Sequence, residues 1–210
     1  VNEAPVFTSS TLYDADENQT SIGAVTATDV DSSSLAYSVS GSNFAITADG
    51  ILTFISAPDY ETKTSYIGSV TVTDGNLSTT QPITVTINNL NDNSPAFTSS
   101  ATFSAAENQT AIGTVTASDA DEDSVTFTVS GSELAITSAG VLTFASAPDY
   151  ETKSTYTATV TVTDGTNATT QDITISVTNL NDNSPAFTSS ASFSAAENQT
   201  AIGTVTASDA

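Results

Sequence analysis

The stretch Asn-Leu-Asn-Asp-Asn-Ser-Pro-Ala-Phe, residues 89–97, decides how this chain is organised, because it returns unchanged as residues 179–187. A divergent copy, Val-Asn-Glu-Ala-Pro-Val-Phe, forms residues 1–7. A run with strand character stops before each copy, and another begins after it. The stretch is too short for a flexible linker and too rich in Asn and Asp for a core, so it predicts a joint between domains.

The sequence repeats with a fixed period around this joint. Phe7, Phe97 and Phe187 are each 90 residues apart, and residues 181–210 match residues 91–120 except that Ser192 replaces Thr102. Such self-similarity is the signature of a repeat architecture. We therefore predict one repeat at residues 1–90, a second at 91–180 and the start of a third at 181–210, as a segment of a longer array.

The composition excludes several classes of partner. The chain has 24 acidic residues against two lysines and no histidine, for a net charge of −22. Nucleic acid and anionic lipid both require clustered positive charge, so neither is an expected partner. The chain has no cysteine, and no apolar run approaches the roughly 20 residues that span a membrane. We interpret the segment as extracellular or displayed at a cell surface, of a prokaryotic type, and without direct membrane insertion.

Apolar and polar residues alternate with period two along most of the chain, which predicts strands with one buried face. The second repeat shows this best at residues 125–130, 156–163 and 173–178. Shorter candidate strands are residues 96–99, 113–118, 134–137 and 141–144. About seven short strands in 90 residues predict an all-β fold of tandem seven-stranded antiparallel Greek-key sandwiches, of the immunoglobulin-like type.

Four acidic motifs recur in each repeat at the predicted strand ends. In the second repeat they are Ala-Glu-Asn with Glu107, Asp-x-Asp with Asp119 and Asp121, Pro-Asp-Tyr-Glu with Asp149 and Glu151, and Thr-Asp-Gly with Asp164. Asp, Asn and Gly are also ordinary turn residues, which is the simplest reading of any one motif alone. Four motifs in one register favour a shared site instead. Oxygen ligands without His or Cys favour calcium over zinc or copper.

Together with the joint Asn-x-Asn-Asp-Asn-x-Pro-x-Phe, these motifs resemble cadherin repeats in their short bacterial form. The resemblance covers the whole chain. It implies calcium ions at each joint, held by the Glu and the Asp-x-Glu of the upstream repeat, by oxygens of the joint, and by the Asp-x-Asp and the Asp-Gly turn of the downstream repeat.

Carried over residue by residue, the resemblance implies ligands for three joints. For the first complete joint they are Glu17, Asp59, Glu61, Asn89, Asn91, Asp92, Asn93, Asp119, Asp121 and Asp164. For the second they are Glu107, Asp149, Glu151, Asn179, Asn181, Asp182, Asn183 and Asp209. The ligands facing a joint upstream of the chain are Asp29, Asp31 and Asp74.

One departure from the family pattern concerns the first residue of the joint, which is Asn89 or Asn179 where cadherins have Asp. Each joint thereby loses one formal charge, which is expected to weaken a site or to remove one ion. Even so, seven carboxylates converge on the first complete joint in this scheme. Two or three calcium ions per joint would nearly neutralise them.

The sequence therefore predicts a calcium-rigidified stalk, fibre or adhesin segment rather than an enzyme. Its expected partners are neighbouring repeats of the same array, with self-association or a cell-surface glycan as further options. Two alternatives remain open at this point. A carbohydrate-binding module predicts exposed aromatic residues on one sheet face, and a metal-free spacer predicts indifference to chelators.

Overall fold

The structure of the protein, a computed structural model, describes residues 1–209. The chain divides after Asn93 into two compact units, each with its own core. The described residues contain strands and turns and no helix. The first repeat contains β1 (Val6–Phe7), β2 (Leu12–Asp16), β3 (Ser21–Ala24), β4 (Ala27–Thr28), β5 (Ala36–Ser40), β6 (Phe44–Ile46), β7 (Ile51–Phe54), β8 (Ser65–Thr73) and β9 (Ser78–Asn88).

The second repeat follows the same plan at 90 residues' distance. Its strands are β10 (Ala96–Phe97), β11 (Thr102–Ala106), β12 (Ala111–Thr114), β13 (Ala117–Ser118), β14 (Thr126–Val129), β15 (Leu134–Ile136), β16 (Val141–Phe144), β17 (Thr155–Thr163) and β18 (Ala168–Thr178). The start of the third repeat contributes one pair, β19 (Ala186–Phe187) and β20 (Ala207–Ser208).

Each complete repeat is a sandwich of a four-stranded and a three-stranded sheet, with a two-stranded pair at one end. In the second repeat the orders are β11-β18-β17-β14, β12-β16-β15 and β10-β13. The inward-facing residues of the alternating strands form the core, among them Val160, Val162 and Ile175, which are fully buried. Two-residue alternation therefore predicted the buried face correctly. The all-β sandwich class is confirmed.

One pairing departs from the antiparallel plan. Strand β11 runs parallel to β18, with Thr102 opposite Thr174 and Ala106 opposite Thr178, and β2 pairs with β9 in the same way. The sequence did not indicate β11 as a strand, because Phe103 is the only large apolar residue in Thr-Phe-Ser-Ala-Ala. The parallel pairing has a consequence for the site, since parallel strands that pair along their length end on the same side of the sheet.

The predicted strand at residues 113–118 is two strands. Strand β12 joins the three-stranded sheet with a register shift between Ala111 and Gly113, whereas β13 pairs with β10. Between them, the backbone N–H of Val115 donates to the carbonyl of Gly140 at 2.9 Å. The chain thus changes sheets here, which ordinary alternation does not reveal.

Gly140 is required by this crossing. Its φ is +85°, and a Cβ at this position would lie 2.1 Å from the carbonyl oxygen of Val115. Replacing it with alanine combines a left-handed conformation, which costs about 1–2 kcal/mol, with a clash against backbone. We expect Gly140→Ala to lower the free energy of unfolding of the second repeat by about 2–4 kcal/mol.

The measurement is urea unfolding in chelator, followed by hydrogen exchange of peptides from each repeat. Gly165→Ala is the matched control, because Gly165 also has positive φ (+101°) but nothing within 4 Å of an added Cβ. We expect it to cost about half as much, with the first repeat unaffected by either change. Equal costs for the two substitutions would contradict the role assigned to the Val115 contact.

Candidate metal centre

Three carboxylates meet at the end of each repeat where its last strand finishes, and we call these groups the C-terminal clusters. Within each cluster, one oxygen from each residue lies within 4.8 Å of the others. Three negative charges so close together repel each other unless a cation lies among them. The clusters are Glu17, Glu61 and Asp92 in the first repeat, and Glu107, Glu151 and Asp182 in the second.

The parallel strand pair explains why these residues meet. Because Ala106 lies opposite Thr178 at the ends of β11 and β18, the residues that follow both strands emerge side by side. Glu107 is the first residue after β11, and residues 179–183 follow β18. An antiparallel pair would have sent the two segments to opposite ends of the sandwich.

The glutamate of each cluster is buried and bonded to backbone. Glu107 is 2% exposed; its Oε2 accepts from the N–H of Tyr150 at 2.9 Å and its Oε1 accepts from the N–H of Leu180 at 2.7 Å. Glu17 makes the two equivalent bonds, both at 2.8 Å, and is equally buried. The side chain thereby ties the loop of the Pro-Asp-Tyr-Glu motif to the start of the joint.

The aspartate of each cluster is oriented by asparagines. Asn108, at φ +63°, donates its Nδ2 to Asp182, and Nδ2 of Asn183 donates to Oδ1 of Asp182 at 3.1 Å. Asn18 and Asp92 form the equivalent pair in the first repeat. Asparagine tolerates the left-handed conformation better than most residues. The asparagine of Ala-Glu-Asn therefore both turns the chain and aligns a carboxylate, a role that the sequence motif did not reveal.

The first residue of the second joint acts as a donor. Nδ2 of Asn179 lies 3.1 Å from Oε1 of Glu151. An aspartate here would add a fourth negative charge, whereas the amide contributes a hydrogen bond to a carboxylate already present. The predicted weakening of the site by this Asn stays a prediction.

Asp59 and Asp149, expected as ligands, lie beside the clusters but outside the closest trio of carboxylates. Asp149 Oδ2 accepts from Oγ1 of Thr152 at 2.7 Å and its Oδ1 accepts from the N–H of Glu151 at 3.1 Å. The hydrogen bond from the Thr152 hydroxyl is the main cause that lowers the pKa of Asp149 below its ordinary value. The ionised form is therefore favoured in the fold, and this small contribution to stability is lost as the pH falls through the lowered pKa.

A second set of carboxylates lies at the opposite end of each repeat, where β10 begins and β13 and β17 end; we call these the N-terminal clusters. In the second repeat, oxygens of Asp119, Asp121 and Asp123 lie within 4.8 Å of one another. Asp123 was not predicted as a ligand, although Asp-x-Asp-x-Asp could be read directly from the sequence. The predicted members of the N-terminal clusters are Asp29, Asp31 and Asp74 in the first repeat and Asp119, Asp121 and Asp164 in the second.

In the first repeat the divergent copy of the joint contacts the N-terminal cluster directly. The N–H of Glu3 donates to Oδ2 of Asp31 at 2.9 Å, and Nδ2 of Asn2 donates to Oδ2 of Asp74 at 2.6 Å. The backbone N–H of Leu77 is the main cause that lowers the pKa of Asp74, followed by other donors that include Asn2. The opening joint segment therefore donates hydrogen bonds to acidic groups of the repeat that follows it.

Asp29 and Asp119, at equivalent places in the two N-terminal clusters, each bury a carboxylate oxygen that lacks a hydrogen-bond donor within residues 1–209. Oδ2 of Asp29 and Oδ2 of Asp119 are both buried and without a partner among the described residues. Burying an acceptor without a partner costs about 1–3 kcal/mol, and more for a charged group. A bound cation would supply the missing partner at the same place in both repeats, so these residues fit the metal that the resemblance implies.

Protein cations do not fill this role. The chain has two lysines, and their ammonium groups lie over aromatic rings, Lys63 at 4.3 Å from the ring centre of Tyr66 and Lys153 at 4.4 Å from that of Tyr156. Lys153 also pairs with Glu133 at 2.6 Å. The clusters therefore offer oxygens only, a set that suits calcium with its six to eight oxygen ligands.

The remaining predicted residues are asparagines of the joints and one aspartate, Asp209, which follows β20. Asn89, Asn91 and Asn93 belong to the first unit, whereas Asn181 and Asp209 are exposed residues of the second. Among the predicted carboxylates, the structure brings together three at the C-terminal end of each repeat, and Asp119 with Asp121 at the N-terminal end of the second. Ligation that combines the clusters of successive repeats stays a prediction. No helix within residues 1–209 is long and apolar enough to cross a membrane.

Comparison with known proteins gives similarities to two kinds of repeat. Residues 2–88 match the family model described as a bacterial Ig domain. The Drosophila melanogaster protocadherin-like wing polarity protein stan is 33% identical over 199 residues, which is 81% of this chain and 6% of that protein. The chain therefore spans a small fraction of the length of this relative.

Two solved structures share the fold. Repeats EC22–24 of mouse cadherin-23 superpose with a TM-score of 0.80 at 23% identity, covering 100% of this chain and 78% of that one. The extracellular cadherin domains 3–6 of protocadherin gamma B2 give a TM-score of 0.72 at 22% identity, covering 90% of this chain and 55% of that one. The Greek-key sandwich expected from the strand pattern is thereby confirmed.

Proposed function

We propose that this chain, a tandem of repeats similar in fold to cadherin repeats, is a calcium-stiffened, non-enzymatic segment of an extracellular stalk or adhesin. Calcium would bind where the C-terminal cluster of one repeat and the N-terminal cluster of the next are joined by residues 89–93 or 179–183. With about two or three ions per joint, the bound calcium would limit bending at the joints and align the repeats.

The observation that carries the proposal is the meeting of three carboxylates within 4.8 Å at the same place in both complete repeats. If these residues served only to form turns, the same three carboxylates would not need to meet in both repeats, and one of them would not need to be buried. The unpartnered oxygens of Asp29 and Asp119 support the proposal from the opposite end of each repeat. Calcium is favoured over magnesium because it accepts irregular oxygen sites, whereas magnesium demands near-ideal octahedral geometry.

A carbohydrate-binding module is less well supported. Stacking on a sugar ring requires exposed aromatic side chains on a sheet face. Among the described residues of the two complete repeats, Tyr150 is the one exposed aromatic side chain, and it lies in a loop. The outward face of β17 instead carries threonines, including Thr157 and Thr159. The partner that such a stalk presents or binds would be another repeat of the array or a cell-surface molecule.

The test is small-angle X-ray scattering of this chain in millimolar calcium and then in excess chelator. We expect a single elongated profile with calcium and a broader distribution of distances after chelation, restored when calcium is returned. The variant Asp92→Asn should lose much of the response, because it removes a carboxylate of the first joint. Asp49→Asn is the control with the same charge change, since Asp49 lies in an exposed turn outside the clusters. Superimposable profiles for the wild type would instead favour a metal-free spacer.

A further inference from the structure

The N-terminal clusters of the two repeats differ in one carboxylate. The second repeat reads Asp-Ala-Asp-Glu-Asp from Asp119, whereas the first reads Asp-Val-Asp-Ser-Ser from Asp29. Asp123 therefore has Ser33 as its counterpart. The difference is local, since the flanking strands β13 and β4 are equivalent in position and length. It places three aspartates of one short loop within 4.8 Å of one another in the second repeat.

The loop backbone also differs between the repeats. In the first, Oδ1 of Asp29 accepts from the N–H groups of Asp31 and Ser32, both at 2.8 Å. In the second, Oδ1 of Asp119 accepts from the N–H of Asp121 at 3.0 Å, and Glu122 takes a φ of +65°. A left-handed conformation costs a residue with a side chain about 1–2 kcal/mol. The second loop thus adopts a backbone conformation of higher energy at Glu122. In this conformation the carboxylate of Asp123 lies beside those of Asp119 and Asp121.

An independent observation points to a ligand at this loop. Oδ2 of Asp119 is buried and has no hydrogen-bond partner among the described residues. Asp121 beside it is 5% exposed. A buried oxygen of an aspartate, without a donor and next to two further carboxylates, is the environment that a divalent cation stabilises.

We propose that Asp123 is a calcium ligand, and that it makes the loop of residues 119–123 a tighter calcium site than its counterpart at residues 29–33. This inference rests on the proposed function, because it assigns a further ligand to one of the same joints. Calcium affinity rises with the number of charged ligands. The array would then contain joints of graded affinity, and those followed by Asp-x-Asp-x-Asp would stiffen at lower calcium than those followed by Asp-x-Asp alone.

The test is a calcium titration of the whole chain, monitored by NMR at the backbone N–H signals of residues 121–124. The variant Asp123→Ser installs the residue that the first repeat already has. We expect it to raise the calcium concentration at the midpoint for these signals at least about tenfold. Glu122→Gln is the matched control, because it removes the same charge from the neighbouring residue without removing a member of the cluster. We expect it to shift the midpoint by less than about threefold.

The outcomes separate this inference from the proposed function. An unchanged midpoint for Asp123→Ser, or an equal shift for both variants, would overturn the role of Asp123. In that case, a calcium response at the N–H signal of Tyr150 in the C-terminal cluster would still support the proposed function. If no signal of the wild type responds to calcium, both fail. Asp123 is exposed, and unchanged signals outside the loop would show that the variant folds as the wild type does.

Discussion

Calcium at about one hundred times its dissociation constant is expected to raise the melting temperature of a complete repeat by about 10–20 °C over the value in chelator. One site at that saturation contributes about 2.7 kcal/mol, and about 1 kcal/mol shifts the melting temperature of a domain of this size by 4–8 °C. The effect is large because the ion removes a cost that is already present in the fold. Glu17, Glu61 and Asp92 hold carboxylate oxygens within 4.8 Å of one another, where their negative charges repel.

Differential scanning calorimetry in calcium, in magnesium and in chelator measures this shift. Magnesium at the same concentration should give less than half of it, because the irregular cluster does not provide octahedral geometry. High sodium chloride in chelator should recover a small part of this rise in melting temperature. It screens the exposed charges but does not place a divalent ion against the buried oxygens. A shift below about 2 °C with calcium would show that the clusters hold no ion in solution.

The sequence predicted the faces of the strands better than their pairing. Alternation identified Val160, Val162 and Ile175 as core because burial on one sheet face imposes period two. It could not indicate that β11 pairs parallel with β18, since parallel and antiparallel neighbours show the same local alternation. It also missed the change of sheet between Thr114 and Ala117, where the deciding contact is the Val115 N–H to the carbonyl of Gly140, remote in sequence.

The same distinction applies to the candidate site: local sequence motifs were readable, whereas contacts between residues distant in sequence were not. The glutamates were identified from their motif, but the sequence did not indicate that Glu107 is buried against the N–H groups of Tyr150 and Leu180. That burial follows from the parallel pair, which was itself not predicted. Asp123 is the opposite case, because its spacing from Asp119 and Asp121 was visible in the sequence and it was still not predicted as a ligand.

The repeats carry the motif carboxylates at their ends and threonine hydroxyl groups along their sheets. The sheet face of β17 and β18 presents Thr157, Thr159 and Thr174, and the Thr159 hydroxyl donates to Oδ1 of Asp172 at 2.7 Å. The motif carboxylates lie instead in the loops at the two ends. A net charge of −22 is therefore tolerable when ions occupy those ends and strongly self-repelling when they do not.

The two glutamates of the second C-terminal cluster should separate the structural role of the cluster from its metal role. Glu107 is buried and accepts two backbone bonds, whereas Glu151 is exposed and accepts a bond from Asn179 at 3.1 Å. In chelator, Glu107→Ala leaves the N–H groups of Tyr150 and Leu180 without their acceptor. We expect it to lower the free energy of unfolding of the second repeat by about 2–5 kcal/mol.

Glu151→Ala should change that free energy in chelator by less than about 0.5 kcal/mol, because it removes an exposed side chain and relieves repulsion. In calcium, both variants should lose the stabilisation that the ion gives the wild type at this cluster. The measurement is urea unfolding in both conditions, with hydrogen exchange assigning the transition to each repeat and the first repeat as internal reference. If Glu107→Ala were as mild as Glu151→Ala in chelator, the buried carboxylate would be only a ligand. If Glu151→Ala kept the full calcium effect, the ion would not lie in this cluster, and the C-terminal clusters would be explained by their backbone bonds alone.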